Sequence, residues 1–123
     1  LDISNEEYDK SIQRGLSFYR NNQFLKTGEA LWRWPRKWPI DIHNQSQGII
    51  TLSNFSNSQN YFFDMAIRIA DWTIDNLYSD KGKFFYYRKL PFMKIKIEYM
   101  RWAQMWMANS LSTLLLNGEK YSK

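Results

Sequence analysis

The chain has 123 residues and a net charge of +5, and 44% of its residues are hydrophobic and 18% aromatic. This apolar content is enough for one folded domain and excludes a disordered chain. The absence of cysteine excludes disulfides, thiolate nucleophiles and cysteine-based zinc sites. A single histidine, His43, cannot form a multi-histidine metal site. We therefore expect neither a metal nor a cofactor.

The sequence contains no stretch near the roughly 20 consecutive apolar residues of a membrane span. Its first residues, Leu1-Asp2-Ile3, do not resemble a signal peptide, so we expect a cytoplasmic protein without a membrane span. Because the chain begins without methionine, we expect it to be part of a longer protein or a processed product. The positive charge favours an anionic partner, such as an acidic saccharide, an anionic lipid or nucleic acid.

The first predicted helix begins with a capping box formed by Ser4 and Glu7. Apolar residues then recur at helical spacing until Asn21-Asn22, where we expect the helix to end. A basic and aromatic connector of residues 23–40 follows. Its two prolines, Pro35 and Pro39, disfavour an ordinary helix there.

Three further helices are predicted from apolar periodicity, over residues 41–55, 59–78 and 98–116. Ser58 is the expected N-cap of the third helix. Between the third and fourth helices lies a second connector. Its residues 83–88 and 94–97 predict a small β-hairpin across Leu90-Pro91.

An internal repeat relates the two halves of the chain through a shift of 57 positions, which places Ile40 on Ile97. The same shift places Ser46-Gln47 on Ala103-Gln104 and Ile49-Ile50 on Trp106-Met107, and it places Tyr8 on Met65 and Ile12 on Ile69. Each unit is a helix, a long connector and a second helix. Such hairpins bury their apolar faces by stacking on neighbours.

We therefore expect an all-α fold, a single domain over residues 1–123 with four main helices. The helices would form two helical hairpins of an (α/α) toroid, with a small β-hairpin in the second connector. A compact four-helix arrangement is the alternative. If the chain is an arc of a toroid, its exposed apolar edges should drive self-association.

Asp41 and Glu98 occupy equivalent repeat positions at the predicted starts of two helices. Paired carboxylates serve glycoside chemistry, whereas an acid at a helix start also serves as a cap. Histidine is the usual general acid–base near neutral pH, and His43 lies two residues after Asp41. Asp41 and His43 are therefore the candidate catalytic residues.

Aromatic, amide and guanidinium side chains near the connectors are candidates for substrate binding. The candidates are Trp34, Trp38, Gln47, Tyr87, Arg88, Arg101 and Gln104. Aromatic rings stack on sugar faces, amides donate hydrogen bonds, and guanidinium groups bind carboxylates or phosphates. Under the competing interpretation, the aromatics cover the ends of the core and the cations remain solvated. Single-stranded nucleic acid suits the same pattern but ranks below a saccharide.

Residues 40–51, and residues 84–88 followed by 99–107, resemble the C-terminal part of bacterial six-hairpin (α/α) toroid proteins found in polysaccharide contexts. The resemblance covers about residues 26–116. That superfamily includes glycosidases, unsaturated uronyl hydrolases and sugar epimerases. The resemblance implies the C-terminal fragment of a larger toroid that processes or binds bacterial surface polysaccharide, with no particular reaction indicated. A non-enzymatic helical-repeat scaffold and an acidic-glycan binding module are the alternatives.

In the toroid enzymes the catalytic acids lie in a central cavity, and only Asp41 and Glu98 could match them here. Some look-alike proteins carry a delta-aminolevulinic acid dehydratase label. That enzyme family is a TIM barrel, and this sequence lacks the required strand–helix alternation.

Overall fold

The computed structural model describes residues 6–56 and 60–121. The helices in these ranges are α1 (Glu6–Gln23), α2 (Ile42–Asn54), α3 (Asn60–Leu77) and α4 (Met105–Tyr121). A π-helical turn, Met100–Gln104, leads directly into α4. The strands are β1 (Ile40–Asp41), β2 (Tyr78–Ser79), β3 (Phe84–Phe85), β4 (Arg88–Lys89) and β5 (Lys94–Ile95).

The all-α prediction is wrong, because two small antiparallel sheets join the helices in the described ranges. One sheet has the order β1–β4–β5, so it pairs the end of the first connector with the second connector. The other sheet, β2–β3, closes the turn after α3. The pairing of β1 with β4 spans 47 residues between Asp41 and Arg88. Apolar periodicity cannot predict such a partner for a two-residue strand.

The predicted hairpin across Leu90-Pro91 corresponds to β4 and β5, whose turn is closed by a Leu90 N–H to Met93 carbonyl hydrogen bond of 2.7 Å. The predicted strand over residues 83–88 divides between the two sheets instead. Glu98 begins no helix. It lies exposed before Tyr99, the N-cap of the π-helical turn.

The predictions for α2 and α3 are close to the observed bounds. Helix α4 begins at Met105 rather than Glu98 and continues five residues beyond the predicted Leu116 to Tyr121. The predicted caps Ser4 and Ser58 lie outside the described residues. None of the helices in residues 6–56 and 60–121 is both long and apolar enough to cross a membrane.

Helix α2 is the centre of the packing, because it contacts both α3 and α4. A Cβ atom at Gly48 would lie 2.6 Å from the Phe24 ring, so glycine allows α2 to approach the first connector closely. The core around α2 consists mainly of aliphatic side chains; it includes Ile40, Ile42, Ile49, Leu52, Phe62, Ala66, Ile69, Leu77, Ala103 and Met107.

A glutamine of α2, Gln45, fixes the first connector to the helices. The fully buried Gln45 accepts a hydrogen bond from the Ala30 N–H (2.5 Å) and donates to the Gly28 carbonyl (3.2 Å) and the Thr73 hydroxyl (2.7 Å). Gly28 has a φ of 111°, and a Cβ there would collide with the carbonyl oxygen of Arg68. Only glycine fits this close approach, so the first connector is held against α3.

Candidate functional site

The ladder between β1 and β4 places Asp41 directly opposite Arg88. The Arg88 Nε donates to Asp41 Oδ2 at 2.5 Å, and the His43 backbone N–H donates to Asp41 Oδ1 at 2.8 Å. Asp41 is only 3% exposed, and it is the N-cap of α2. Both carboxylate oxygens therefore serve the fold, one in a buried ion pair and one in a helix cap.

The Arg88 guanidinium also lies over two aromatic rings, 4.9 Å from the centroid of Trp32 and 4.5 Å from that of Tyr87. The guanidinium thus forms an ion pair with the Asp41 carboxylate and cation–π contacts with two aromatic rings. The contact with Asp41 ties β4 to β1, so Arg88 helps to position the connector sheet. The Tyr87 ring lies against the Arg88 guanidinium and also lines a groove described below.

His43 lies between two indoles, with its ring centroid 5.4 Å from Trp102 and 5.3 Å from Trp106. Its Nδ1 is 4.0 Å from Asp41 Oδ1, which is beyond hydrogen-bonding distance. The predicted catalytic residues are therefore neighbours without forming a hydrogen-bonded acid–base pair. The contacts of His43 instead hold the start of α4 against α2.

Three of the predicted binding residues have other partners. Gln104 accepts from the Phe85 N–H and donates to the Phe85 carbonyl, both at 2.8 Å, so its amide clamps the second connector. Gln47 donates to the Thr51 hydroxyl at 3.0 Å. Trp34 is exposed and meets the ring of Phe18 edge-on at 6.1 Å.

Arg101 lies in the π-helical turn before α4, where it lines a mostly apolar groove of about 560 Å³ with Met105, Trp106 and Asn109. Beside it, Tyr87, Tyr99 and Trp102 line a second groove of about 260 Å³. The structure thus separates Arg101 from the buried Asp41–Arg88 pair. Most of the residues that line these two grooves are aromatic or apolar, and Arg101 is the cation among them.

A cluster of lysines and aromatic rings forms a different surface where the two connectors meet α3. We call it the lysine rim. It consists of Lys37, Trp38, Trp72, Asn76, Tyr86, Lys89, Lys94 and Lys96. Of these residues, only Trp38 was a binding candidate from the sequence.

The strand register brings two positive charges together in the lysine rim, because Lys89 of β4 is paired directly with Lys94 of β5. Like charges directly opposite one another destabilise a sheet. The Lys94 and Lys96 ammonium groups lie 5.5 and 5.7 Å from the centroid of the Tyr86 ring. The Lys89 ammonium lies 5.2 Å from the Trp72 ring and donates to Asn76 Oδ1 at 3.0 Å.

Burial lowers the pKa of Lys89, and the charges of Lys94 and Lys37 lower it further, while Glu29 opposes the shift. Glu29 accepts from the Lys37 ammonium at 3.2 Å. Burial alone would raise the pKa of Glu29, but hydrogen bonds from Thr27 and Lys37 lower it below its ordinary value. The lysine rim therefore holds several closely spaced cations. The neighbouring carboxylate, Glu29, is paired with Lys37.

Among the residues that the structure describes, no three His, Cys, Asp or Glu side chains are grouped so as to hold a metal ion. No protein-family model, curated protein or solved structure matches the chain.

Proposed function

We propose that this chain is an acidic-saccharide binding part of a carbohydrate-processing protein, and that the lysine rim is its binding surface. The observation that carries the proposal is the direct pairing of Lys89 with Lys94 beside the faces of Trp72 and Tyr86. A bound carboxylate or phosphate would relieve the repulsion between the two ammonium groups. The adjacent rings offer apolar area to a sugar.

The same geometry argues against a catalytic role for Asp41. A general acid or base must reach the substrate, and both oxygens of this buried carboxylate already accept hydrogen bonds. His43 packs between Trp102 and Trp106 without an acidic hydrogen-bond partner at Asp41. We assign binding to this chain and no reaction, in keeping with the polysaccharide context that its resemblance to six-hairpin toroid proteins implies.

Isothermal titration with a uronic-acid oligosaccharide, and with a neutral oligosaccharide of the same length, tests the proposal. We expect binding of the acidic sugar only. In the Lys89→Met/Lys94→Met variant the affinity should fall by about 100-fold or more, since two charge-assisted contacts are lost and each is worth about 1.5–3 kcal/mol.

The Lys81→Met/Lys83→Met variant is the matched control, because it removes two exposed lysines of the turn before β3 and the same net charge. It should bind like the wild type. Equal losses in both variants would show that net charge, rather than the lysine rim, attracts the ligand. If a single-stranded oligonucleotide bound more tightly than the saccharide, with a steep salt dependence, the ligand would be nucleic acid rather than a saccharide.

A further inference from the structure

A small pocket lies where the last turn of α1, the beginning of the first connector and α3 meet. It has a volume of about 180 Å³ and is lined by three cationic side chains, Arg20, Lys26 and Arg68. None of the described residues that line it is acidic. Phe24 and Met65, which are 5% and 7% exposed, add apolar surface. The three positive charges therefore lie beside atoms of low polarity, where charges are screened less than in open water.

The backbone at the start of the first connector brings Lys26 to α3. The Gly28 N–H donates to the Leu25 carbonyl at 3.0 Å, and the Leu25 N–H donates to the Glu29 carbonyl at 2.9 Å. Lys26 thus lies at the tip of a tight turn. A Cβ at Gly28 would collide with the carbonyl oxygen of Arg68, so this turn lies directly on the backbone of α3. The fold therefore places Lys26 and Arg68 in one pocket despite their like charges.

Arg20 supplies the third charge from the last turn of α1. Its guanidinium lies over the ring of Tyr61, 4.4 Å from the centroid, and its Nη1 donates to Asn21 Oδ1 at 3.0 Å. Its Nε is buried and has no hydrogen-bond acceptor among the described residues. An aromatic ring and an amide thus hold this guanidinium in place, and neither of them neutralises its charge.

None of the three cations forms an ion pair within the part of the chain that the structure describes. Asp64 and Asp71 lie four residues before and three residues after Arg68 on α3, which are the spacings that favour ion pairs on a helix. Arg68 nevertheless pairs with neither of them. Glu29, at the end of the turn, is paired with Lys37 instead. The pocket therefore holds positive charge that no direct ion pair compensates.

We propose that this pocket binds a phosphate group, either as the free ion or as the monoester of a small molecule. A phosphate group carries about −1.5 to −2 charges near neutral pH and offers three strong acceptor oxygens, which suits three surrounding cations. A carboxylate offers two oxygens and a single charge. Two of the cations are guanidinium groups, whose planar donors match phosphate oxygens.

The pocket is open to solvent on the side of Lys26 and Arg68, because both residues are exposed. The organic part of a monoester can therefore project outwards while its phosphate contacts the cations. The site shares no residue with the lysine rim, so the inference does not depend on saccharide binding there.

Titration of the ¹⁵N-labelled chain with inorganic phosphate at constant ionic strength tests the site, because the arginine Nε–H signals report on separate surfaces. We expect saturable shifts of the Arg20 and Arg68 signals. Those of Arg88, which is paired with Asp41, and of Arg101, which lines the groove near the start of α4, should stay in place. A second titration with a hexose phosphate distinguishes the two sources. Tighter binding of the hexose phosphate identifies an ester as the ligand, and equal or weaker binding identifies the free ion.

Arg68→Met removes one exposed guanidinium of the pocket and should lower the affinity for phosphate, followed at the Arg20 signal, by about tenfold, which corresponds to about 1.4 kcal/mol. Arg14→Met is the matched control, because it removes an exposed arginine of α1 that does not line the pocket, and it should bind like the wild type. Equal losses in both variants would overturn the proposal, since net charge would then attract the ion. The absence of a saturable shift at Arg20 and Arg68 in the wild type would also overturn it. So would loss of these shifts in Lys89→Met/Lys94→Met, which would place the phosphate in the lysine rim.

Discussion

Gln45 and Gln104 fix the two connectors in the same chemical way, although the internal repeat pairs Gln104 with Gln47. The amide of Gln45 bonds the Ala30 N–H and the Gly28 carbonyl, and the amide of Gln104 bonds both the N–H and the carbonyl of Phe85. In each case one side chain satisfies one backbone donor and one backbone acceptor. The connectors therefore have a defined shape without long strands.

Replacing Gln45 by leucine should leave the buried Ala30 N–H and Gly28 carbonyl without partners. We expect the free energy of unfolding to fall by about 2–4 kcal/mol, since each unpaired buried group costs about 1–3 kcal/mol. Gln104→Leu should cost less, about 1–2 kcal/mol, because Gln104 is only half-buried and water can replace it. Urea unfolding of both variants measures the difference, and a larger loss for Gln104→Leu would contradict it.

Asp41 has two roles that different substitutions separate. Asn retains the capping oxygen but removes the charge opposite Arg88, so Asp41→Asn should cost about 2–3 kcal/mol, below the full value for a buried pair because Arg88 is partly exposed. Ala removes the cap as well, and Asp41→Ala should cost about 1 kcal/mol more. Equal stabilities of wild type and Asp41→Asn in urea unfolding would show that the ion pair contributes nothing.

Tyr19 makes stability depend on alkaline pH. Burial raises the pKa of Tyr19 from 10.0 to about 12, although its hydrogen bond with the Thr51 side chain acts in the opposite direction. The folded state thus holds the phenol proton more tightly than the unfolded state, and this stabilisation is complete below pH 10. It should be lost, by on the order of 2 kcal/mol, as the pH rises from 10 to about 12. In Tyr19→Phe, the free energy of unfolding measured with urea should not show this loss between pH 10 and 12. An equal loss in the wild type and in Tyr19→Phe would show that Tyr19 is not its cause.

The lowered pKa of Lys89 predicts how saccharide binding changes with pH. An anion in the lysine rim favours the charged form of Lys89, so binding should take up protons when the pH is near that lowered pKa. The affinity for a uronic-acid oligosaccharide should then weaken as the pH rises, beginning below the ordinary lysine value of 10.5. Calorimetry in two buffers with different ionisation enthalpies measures the proton uptake, which Lys89→Met should remove. Unchanged uptake in that variant would assign the proton to another group.

The sequence was informative about the helices because apolar spacing in each is regular enough to mark one buried face. The stripe of Phe62, Ala66, Ile69 and Leu77 on α3 is buried as expected. Exposure of Tyr8 and Ile12 on α1 could not be read from the same spacing, since it depends on whether a neighbouring helix is present.

The sheets and the lysine rim were beyond sequence reasoning for a different reason. The alternation of Lys94-Ile95-Lys96-Ile97 predicts an extended segment, but nothing local indicates that Lys94 faces Lys89 or that β4 pairs with β1. Asp41 was recognisable as a helix cap from its position before α2. Its ion pair with Arg88 depends on the long-range register of the connector sheet.

The indole N–H resonances of the tryptophans test the central claim most directly, because the rings report on separate surfaces. Trp38 and Trp72 lie in the lysine rim, whereas Trp102 and Trp106 each line one of the two grooves near the start of α4. Titration of the ¹⁵N-labelled chain with a uronic-acid oligosaccharide should shift the Trp38 and Trp72 signals and leave those of Trp102 and Trp106 in place. Shifts confined to Trp102 and Trp106, or no shift at any indole, would contradict saccharide binding at the lysine rim.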